Sequence, residues 1–349
     1  MTDIAREAGV SVKTVSHVLN GKSGVSRATR ERVQAIIQRV GYHPHIGARS
    51  LRSAKANCVG ITLPAPLSEA PLSQDFFLWL FGRLIRVFGS QGEYICFDIS
   101  PDSEDSGHRK DYARGLWEQL YRACMVAGPL ALDDTTIERI HRWGEPYVAF
   151  GRLYSFPECS CAVVDYEEGA YLCTRFLIDR GHKHIAMLKA FSGYQPGLER
   201  RRGYLRALEE AGIEPRDQLI QSVTFRAANI ANMVHRLLAR REVTALIDAS
   251  GTEDAAGIRE GARRAGREPG KDFEILPWTY AKDASVLREA CAQLWLPAWE
   301  AGAEGMDELA RWFRGQREGP IHIVYPPVLQ EAVPSVEVPR RSRLFDTLG

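Results

Sequence analysis

Side chains able to hydrogen-bond a ligand cluster in one short stretch near the N-terminus. Residues 9–21 read GVSVKTVSHVLNG. Gly9 can take the positive φ that ends a preceding helix, Ser11 is a good N-cap for the next helix, and Asn20-Gly21 is a typical stop. The pattern therefore predicts a tight turn followed by a helix of about eight residues.

The two faces of this predicted helix differ in chemistry. One face is apolar at i, i+3, i+4 spacing, with Val15, Val18 and Leu19. The other face carries hydrogen-bonding side chains, those of Lys13, Ser16, His17 and Asn20. A short helix that is held by its apolar side and offers donors on the other is what a helix-turn-helix protein places in the DNA major groove. The stretch therefore favours DNA binding.

Two further helices are needed to hold this one in place. The first is predicted over residues 2–8. The second begins after Ser26, whose hydroxyl can cap it, and ends at Gly41. Both helices have apolar residues on one face, namely Ile4, Ala5, Ala8, Val33, Ile36, Ile37 and Val40. Three short helices with so small a core are near the lower size limit for independent folding, so we expect modest stability.

Positive charge is concentrated in the same region. Up to Ala56 the chain has ten Lys and Arg against three Asp and Glu, a net charge of +7, and the remainder has 35 against 41, a net charge of −6. Basic charge beside a helix-turn-helix pattern is the electrostatic footprint of phosphate binding. The alternative is a basic surface that only interacts with solvent.

A basic connector follows the three helices. Tyr42-His43-Pro44 must be extended, because a residue before proline is excluded from the α region. Residues 46–53 have the length of about two helical turns, which is too short for a stable isolated helix. Leu51 has no local core to enter and is a candidate minor-groove wedge. The neighbouring phosphate ligands would be Arg49, Arg52 and Lys55. The alternative is a disordered basic linker.

From Cys58 onward, short apolar runs alternate with helical stretches. The predicted strands are 59–63, 94–99, 147–150, 162–164, 184–188, 245–247, 273–276 and 321–325. Predicted helices between them include 76–90, 168–180, 198–211, 230–239 and 253–265. This alternation predicts parallel sheets covered by helices on both faces. The length favours two α/β subdomains, with ligands binding at the carboxyl ends of the strands.

Other classes of protein have little support. Seven scattered cysteines suggest neither a disulfide framework nor a metal-ligand cluster, and we expect no metal or other cofactor. The sequence lacks a signal peptide and has no apolar run near the ~20 residues that span a membrane, which predicts a cytoplasmic protein. An enzyme is not expected, because phosphate loops of the GxGxxG and GxxxxGK[ST] kinds are absent and no nucleophile–base pair is recognisable.

Four blocks resemble the lactose-repressor/galactose-repressor (LacI/GalR) family in order and spacing. They read DIAREAGVSVKTVSHVLNG, VSRATRERVQAIIQRVGYHPHIGARSLR, DYEEGAYLCTRFLIDRGHKHIAML and ERRRGYLRAL. The resemblance covers essentially the whole chain. It implies an all-α helix-turn-helix head plus an α/β core of two Rossmann-like subdomains of the type I periplasmic-binding-protein kind. The implied parts are a DNA-binding domain over 1–44, a hinge helix and linker over 45–57, an effector-binding and dimerisation core over 58–333, and a tail over 334–349.

The resemblance also implies how DNA is recognised. A homodimer binds a pseudo-palindromic operator, and a small effector in the cleft of the core changes operator affinity. The positions that read base edges are Val12, Lys13 and His17, and those that contact phosphates are Thr14, Ser16 and Asn20. Lys13 can donate to guanine N7 and O6, and Val12 can pack on a thymine methyl. In the hinge, Ala48 and Leu51 enter the minor groove, beside Arg49 and Arg52.

For the effector, the resemblance places Arg200 in the cleft, where a guanidinium suits a carboxylate or neighbouring hydroxyls. The alternative is a surface arginine. Ser250-Gly251 stands where the family usually has Asn-Asp, and Thr279-Tyr280 where it usually has Asp-Asp. Two usual clamps for sugar hydroxyls are thus replaced. The aromatic residues that could stack on a ligand ring are Phe76, Phe77, Trp278 and Tyr194. A sugar-like effector, another kind of ligand and loss of effector binding all stay open.

The favoured function is a sequence-specific transcriptional regulator, with an effector-responsive repressor as the expectation. The alternative is a cytoplasmic protein that binds a small, sugar-like molecule and whose head has lost specific DNA binding. The segment PSVEVPRRSRLFDTLG lacks the apolar heptads of a coiled coil. A homodimer without a tetramerising tail is therefore expected.

Overall fold

The computed structural model describes residues 1–19, 22–41, 57–64, 74–98, 111–190, 193–223, 228–282 and 287–331. The chain forms two compact units, Met1–Ala56 and Asn57–Gly349. The predicted stop at Asn20-Gly21, the predicted hinge and the predicted tail lie outside the described residues. Each unit is therefore considered by itself.

The described part of the first unit contains three helices, α1 (Thr2–Ala8), α2 (Val12–Leu19) and α3 (Arg27–Val40). Gly9 and Gly41 end α1 and α3 with φ of 62° and 58°, in the left-handed region. The hydroxyls of Ser11 and Ser26 accept backbone N–H groups three residues further on, at 3.1 and 3.3 Å. The predicted helices, turn and caps of the head are confirmed.

One small hydrophobic core holds the three helices together. Its buried members are Ile4, Ala5, Ala8, Val15, Val18, Val33 and Ile36, as the sequence predicted. Val40 shares their face in the predicted helix but is 50% exposed, because it occupies the last position of α3, beyond the packed part of the helix. An ion pair between Arg39 and Glu7 adds a link between α3 and α1.

The second unit contains two six-stranded sheets. The strands of the first sheet are β1 (Cys58–Thr62), β2 (Tyr94–Asp98), β3 (Cys124–Val126), β4 (Tyr147–Ala149), β5 (Cys161–Val164) and β11 (His322–Tyr325). Their order across the sheet is β11-β5-β4-β3-β1-β2, and every pair is parallel. β2 is therefore an edge strand.

The second sheet repeats this arrangement with one reversal. Its strands are β6 (Ile185–Lys189), β7 (Ile220–Ser222), β8 (Ala245–Ala249), β9 (Glu274–Thr279), β10 (Ala292–Trp295) and β12 (Val328–Glu331). The order is β12-β10-β9-β8-β6-β7. All pairs are parallel except β10 with β12, in which Ala292 lies opposite Glu331. The eight predicted strands are confirmed with small shifts, whereas β3, β7, β10 and β12 were not anticipated.

Helices cover both sheets. They are α4 (Gln74–Val87), α5 (Arg114–Trp117), α6 (Thr136–Trp143), α7 (Tyr166–Asp179), α8 (Gln195–Glu210), α9 (Ala228–Leu238), α10 (Ala255–Arg264) and α11 (Ala298–Phe313). Separate apolar clusters lie on the two faces of each sheet. The strands of parallel sheets are buried in this way because helices pack on both sides. In the described parts of the chain no helix is long and apolar enough to cross a membrane.

The chain passes between the two sheets after β5, after β10 and between β11 and β12. The second unit thus has two halves, each named here by its sheet. The first-sheet half includes α4 and α11, which pack on each other. Helix α11 also packs on β4 and β5. The second-sheet half includes α7 to α10. The predicted pair of α/β subdomains is confirmed.

A glycine on α8 allows two helices of the second-sheet half to approach closely. A Cβ atom at Gly203 would overlap the carbonyl oxygen of Glu167 on α7. The next residue of α8, the buried Tyr204, donates a 2.8 Å hydrogen bond to the carbonyl of Ile185 on β6. These contacts fix the axis of α8, and with it the position of the side chains in its first two turns.

We expect Gly203→Ala to lower the free energy of unfolding by about 1–3 kcal/mol, because the new methyl group must push α7 and α8 apart. Thermal and chemical denaturation would measure the loss. Gly89→Ala is the matched control, since a Cβ atom there would meet only a side-chain carbon of Ile85 at 3.8 Å. Equal stability of the two variants would show that the close approach is not required.

Candidate DNA-binding and effector sites

The head presents one side of α2 to solvent. Val15 and Val18 are buried against α1 and α3, whereas Lys13 is exposed and Val12 is 37% exposed. His17 is half-buried on the same side as Lys13, one turn further along the helix. Ser16 lies next to it, also half-buried. The predicted division of α2 into an inner apolar face and an outer polar face is therefore present in the structure.

Thr14 has a local contact as well as a place near the N-terminus of α2. Its hydroxyl lies 2.9 Å from the hydroxyl of Ser11, the residue that caps the helix. The predicted DNA ligands Asn20, Ala48, Arg49, Leu51 and Arg52 lie outside the described residues. Their roles stay predictions.

Arg200 lies in the second turn of α8 and is completely buried. Its Nη1 atom donates a 2.9 Å hydrogen bond to the carbonyl of Pro196. The guanidinium carbon lies 4.3 Å from the ring centroid of Tyr166 and 4.9 Å from that of Trp278. The two rings are nearly parallel, at 12° with their centroids 6.2 Å apart. Full burial excludes the alternative of a surface arginine.

The aromatic partners of Arg200 were only partly anticipated. Trp278 was predicted to contact a ligand, and it is 1% exposed and packs against Arg200. Tyr166, the first residue of α7, was missed, although its place directly after β5 puts it at a strand end. The side chains of Phe76 and Phe77, at the start of α4, lie outside the described residues.

The predicted polar ligands at the strand ends are satisfied within their own loops. Ser250 is buried, and its hydroxyl lies 2.9 Å from that of Thr252. Its amide donates to the carboxylate of Asp248 at 3.1 Å. Thr279 is also buried, and its hydroxyl accepts the amide of Ala281 at 3.0 Å. Both hydroxyls thus hold the loops that follow β8 and β9.

An ion pair joins the two halves of the second unit. Arg152 follows β4 in the first-sheet half, and its Nε atom lies 3.0 Å from Glu199 Oε1 on α8. Its Nη2 atom lies 2.9 Å from Asp165 Oδ1, at the end of β5. Glu199 is only 3% exposed. Burial raises the pKa of the Glu199 carboxyl, and the positive charge of Arg152 opposes that rise.

Backbone hydrogen bonds join the same two halves. The segment after β3 and the segment after β6 form an antiparallel bridge at Ala131 and Tyr194. The amide of Gln195 donates to the carbonyl of Leu130 at 2.9 Å, and the amide of Leu132 donates to the carbonyl of Gly193 at 3.2 Å. Tyr194, a predicted ring-stacking residue, is thus part of a contact between the halves.

One apolar surface of the first-sheet half is open to solvent. On α4, Leu78, Phe81 and Ile85 are 71%, 43% and 65% exposed. The ring of Phe97 on the edge strand β2 lies 5.3 Å from that of Phe81. These four residues are called the α4–β2 face. Exposed apolar side chains grouped in this way are typical of a protein-interaction surface.

Comparison with known proteins matches both units. Residues 1–45 match the family described as bacterial regulatory proteins, lacI family, and residues 89–274 match periplasmic binding proteins and sugar binding domain of LacI family. Catabolite control protein A of Priestia megaterium is 28% identical over 89% of this chain and 91% of its own length. The regulator RafR of Escherichia coli is 32% identical over 76% of this chain and 78% of its own length.

Solved structures share the fold. A lac repressor dimer bound to operator and the anti-inducer ONPF superposes with a TM-score of 0.74, at 20% identity over 94% of this chain and 96% of that one. A complex of the transcriptional regulator CelR with cellobiose gives a TM-score of 0.62, at 24% identity over 94% and 97%. The helix-turn-helix head and the type I periplasmic-binding-protein core that the sequence predicted are confirmed.

The ion pair of Arg152 predicts a pH-dependent stability change. Arg152→Ala leaves a buried carboxylate without its nearest cation and should lower the free energy of unfolding at pH 7 by up to about 3 kcal/mol. The pKa of folded Glu199 is already above its usual value of 4.5 and should rise further in the variant. When the pKa of a carboxyl is higher in the folded than in the unfolded protein, the free energy of unfolding falls as the pH rises above the unfolded pKa. The loss of stability in Arg152→Ala should therefore be larger at pH 7 than at pH 5.

Denaturant unfolding at the two pH values measures this difference. Arg152→Ala/Glu199→Gln is the matched control, because a neutral amide removes the buried charge. This double variant should recover part of the lost stability, and most of the added pH dependence should disappear. If the single and double variants behaved alike at both pH values, Glu199 would not be the cause of the loss.

Proposed function

As the chain belongs to the lacI family of bacterial regulatory proteins and is a DNA-binding transcriptional regulator, we propose that it is an effector-responsive repressor that binds a pseudo-palindromic operator as a homodimer. Acting on DNA, it would work in the cytoplasm. We propose no catalytic role. The observation that carries the proposal is the capped, two-faced α2 helix within an N-terminal region, residues 1–56, of net charge +7.

The proposed DNA contacts follow from the exposed side of α2. Val12, Lys13 and His17 would read base edges in the major groove, because they lie on one accessible side of a helix whose opposite side is fixed in the head core. The phosphate contacts would come from Thr14, Ser16, Asn20, Arg49 and Arg52. Leu51 and Ala48 of the predicted hinge would enter the minor groove.

The second copy would pack against the α4–β2 face. That surface is apolar, lies on one long helix and an edge strand, and is the kind of surface that an isologous dimer buries from both subunits. The match to a lac repressor described as a dimer supports this arrangement.

The effector would bind between the halves of the second unit, at the carboxyl ends of β8 and β9. Arg200 and Trp278 form one wall there, with Ser250 and Thr279 in the adjoining loops and Phe76 and Phe77 expected from α4. The relative solved with cellobiose supports a small-molecule site in this fold. In this chain the aromatic surfaces and the satisfied hydroxyls favour contact with a ring.

Substitutions in α2 test the base-reading proposal. Fragments bound by the protein are first recovered from a genomic pool, and binding is then measured on every single-base variant of the recovered site. Lys13→Ala and His17→Ala should each cost about 1–3 kcal/mol of discrimination at one base pair per half-site. Arg27→Ala, which removes a basic group that is 90% exposed outside α2, is the control. Equal losses on all sequences would refute base reading by Lys13 and His17.

Substitution of the α4–β2 face tests the dimer. Ile85→Asp places a charge in the proposed interface and should weaken dimerisation by about 2–4 kcal/mol, as at a binding hot spot. Sedimentation at several protein concentrations measures the change. Leu120→Asp is the matched control, because Leu120 is a 55% exposed leucine outside this face. An Ile85→Asp protein that sediments like the wild type would place the interface elsewhere.

A further inference from the structure

A row of aromatic side chains crosses from one half of the second unit to the other. Trp79 on α4 and Trp299 at the start of α11 belong to the first-sheet half, and their ring centroids are 5.0 Å apart. The ring of Trp299 then contacts Tyr280, the residue that follows β9 in the second-sheet half, at 5.9 Å. Trp79, Trp299 and Tyr280 are called the aromatic bridge. It links the halves through ring contacts.

Tyr280 is held on several sides. Its amide donates to the Glu253 carboxylate at 2.8 Å. Its hydroxyl lies over Gly251, so close that a Cβ atom there would be 3.1 Å from the oxygen. Tyr166 and Trp278, whose rings lie against Arg200, belong to the same group of strand-end aromatic residues. The ring therefore occupies the space at the carboxyl ends of β8 and β9.

Glu253 carries backbone strain at the same place. Its φ is 52°, a left-handed value that is unfavourable for a residue with a side chain. Gly251, two residues earlier, is also left-handed, with φ of 73°. The loop after β8 thus adopts a conformation of higher energy that brings a carboxylate to the Tyr280 amide and leaves room above Gly251 for the Tyr280 hydroxyl.

The halves are also joined by the Arg152–Glu199 ion pair and by the backbone bonds of Gln195 and Leu132. All of these contacts are made by the chain itself. In a two-lobed binding protein, a ligand between the lobes normally supplies part of the energy that holds the closed form. Here the Tyr280 ring lies beside the carboxyl ends of β8 and β9, and ligands of α/β folds bind at the carboxyl ends of strands.

We propose that Tyr280 is an internal occupant of the effector cleft, which holds the two halves closed without a small molecule, so that an effector acts by displacing its ring. The inference rests on the effector site of the proposed function. An effector that replaces Tyr280 offers a flat ring to Trp299 and carries an oxygen where the Tyr280 hydroxyl lies above Gly251. The chemical class is therefore an oxygen-bearing aromatic compound, in preference to a simple polyhydroxy sugar.

Hydrogen exchange of the full-length protein, followed by mass spectrometry, tests closure without using DNA. The amides of Leu132 and Gln195 report directly on the contact between the halves. We expect both to be protected in the wild type without any added ligand. Tyr280→Ala should accelerate their exchange by about tenfold or more, since local opening becomes easier. Addition of 4-methylphenol, which has the shape of the deleted side chain, should restore protection in this variant.

Two further variants keep the result interpretable. Tyr171→Ala is the matched control, because it removes another tyrosine of the second-sheet half, one bonded to Glu210 and away from the cleft, and it should leave both amides protected. Trp299→Ala removes the ring that Tyr280 contacts in the first-sheet half, and it should open the halves as Tyr280→Ala does. In both variants the strands of the two sheets should stay folded. Slow exchange of β6 amides verifies folding in each variant.

Unchanged protection of Leu132 and Gln195 in both Tyr280→Ala and Trp299→Ala would overturn the proposal. So would failure of 4-methylphenol to restore protection in a folded, opened Tyr280→Ala protein. If the wild-type protein bound no operator while its Leu132 and Gln195 amides were protected, the proposed repressor function would be wrong and the closure proposal would stand, because the exchange measurement involves no DNA. The two proposals therefore fail in distinguishable ways.

Discussion

Arg200 carries a charge that is completely withdrawn from solvent, and the arrangement of the second unit around the cleft depends on how that charge is stabilised. Burying an ion is costly unless polar or aromatic partners replace water. Here the carbonyl of Pro196 accepts a hydrogen bond, and the faces of Tyr166 and Trp278 supply cation–π contacts. These partners come from α8, α7 and β9, so stabilising one guanidinium requires three elements to be correctly placed.

That requirement explains features that otherwise look unrelated. Gly203 lets α8 lie close enough to α7 for Arg200 to reach Tyr166. Tyr280, next to β9, contacts the opposite half through Trp299. Ser250 and Thr279, two of the proposed effector ligands, hold their own loops. The proposed site is consequently organised around aromatic packing on a cation.

The sequence was most informative where local rules decide the structure. The caps at Ser11 and Ser26 and the left-handed Gly9 and Gly41 follow from residue type and neighbouring pattern alone, and all were found as predicted. Strands with a long apolar run were also recognisable, whereas β3 and β7, of three residues each, have no local signal strong enough to separate them from loops.

The site was harder to predict because its contacts join distant parts of the chain. The family resemblance implied that Arg200 lies in the cleft, but only the packing of α7 against α8 shows that Tyr166 covers it. Likewise, the sequence showed Tyr280 only as part of a replaced Asp-Asp pair, and its contacts with Trp299 and Gly251 became known only from the structure. Residue type indicates what a side chain can do, and long-range packing decides which of those contacts it makes.

An internal occupant of the cleft would set the affinity that an effector needs. A ligand shifts a conformational equilibrium only by the difference between its affinities for the two states. If the Tyr280 ring fills the cleft, a ligand binds there only when that ring has moved away, so binding is coupled to displacement of Tyr280. The strength of the contacts of Tyr280 then sets how much of the ligand's binding free energy is used to displace the ring. The aromatic bridge would thus determine both the chemistry of the effector and the threshold at which it acts.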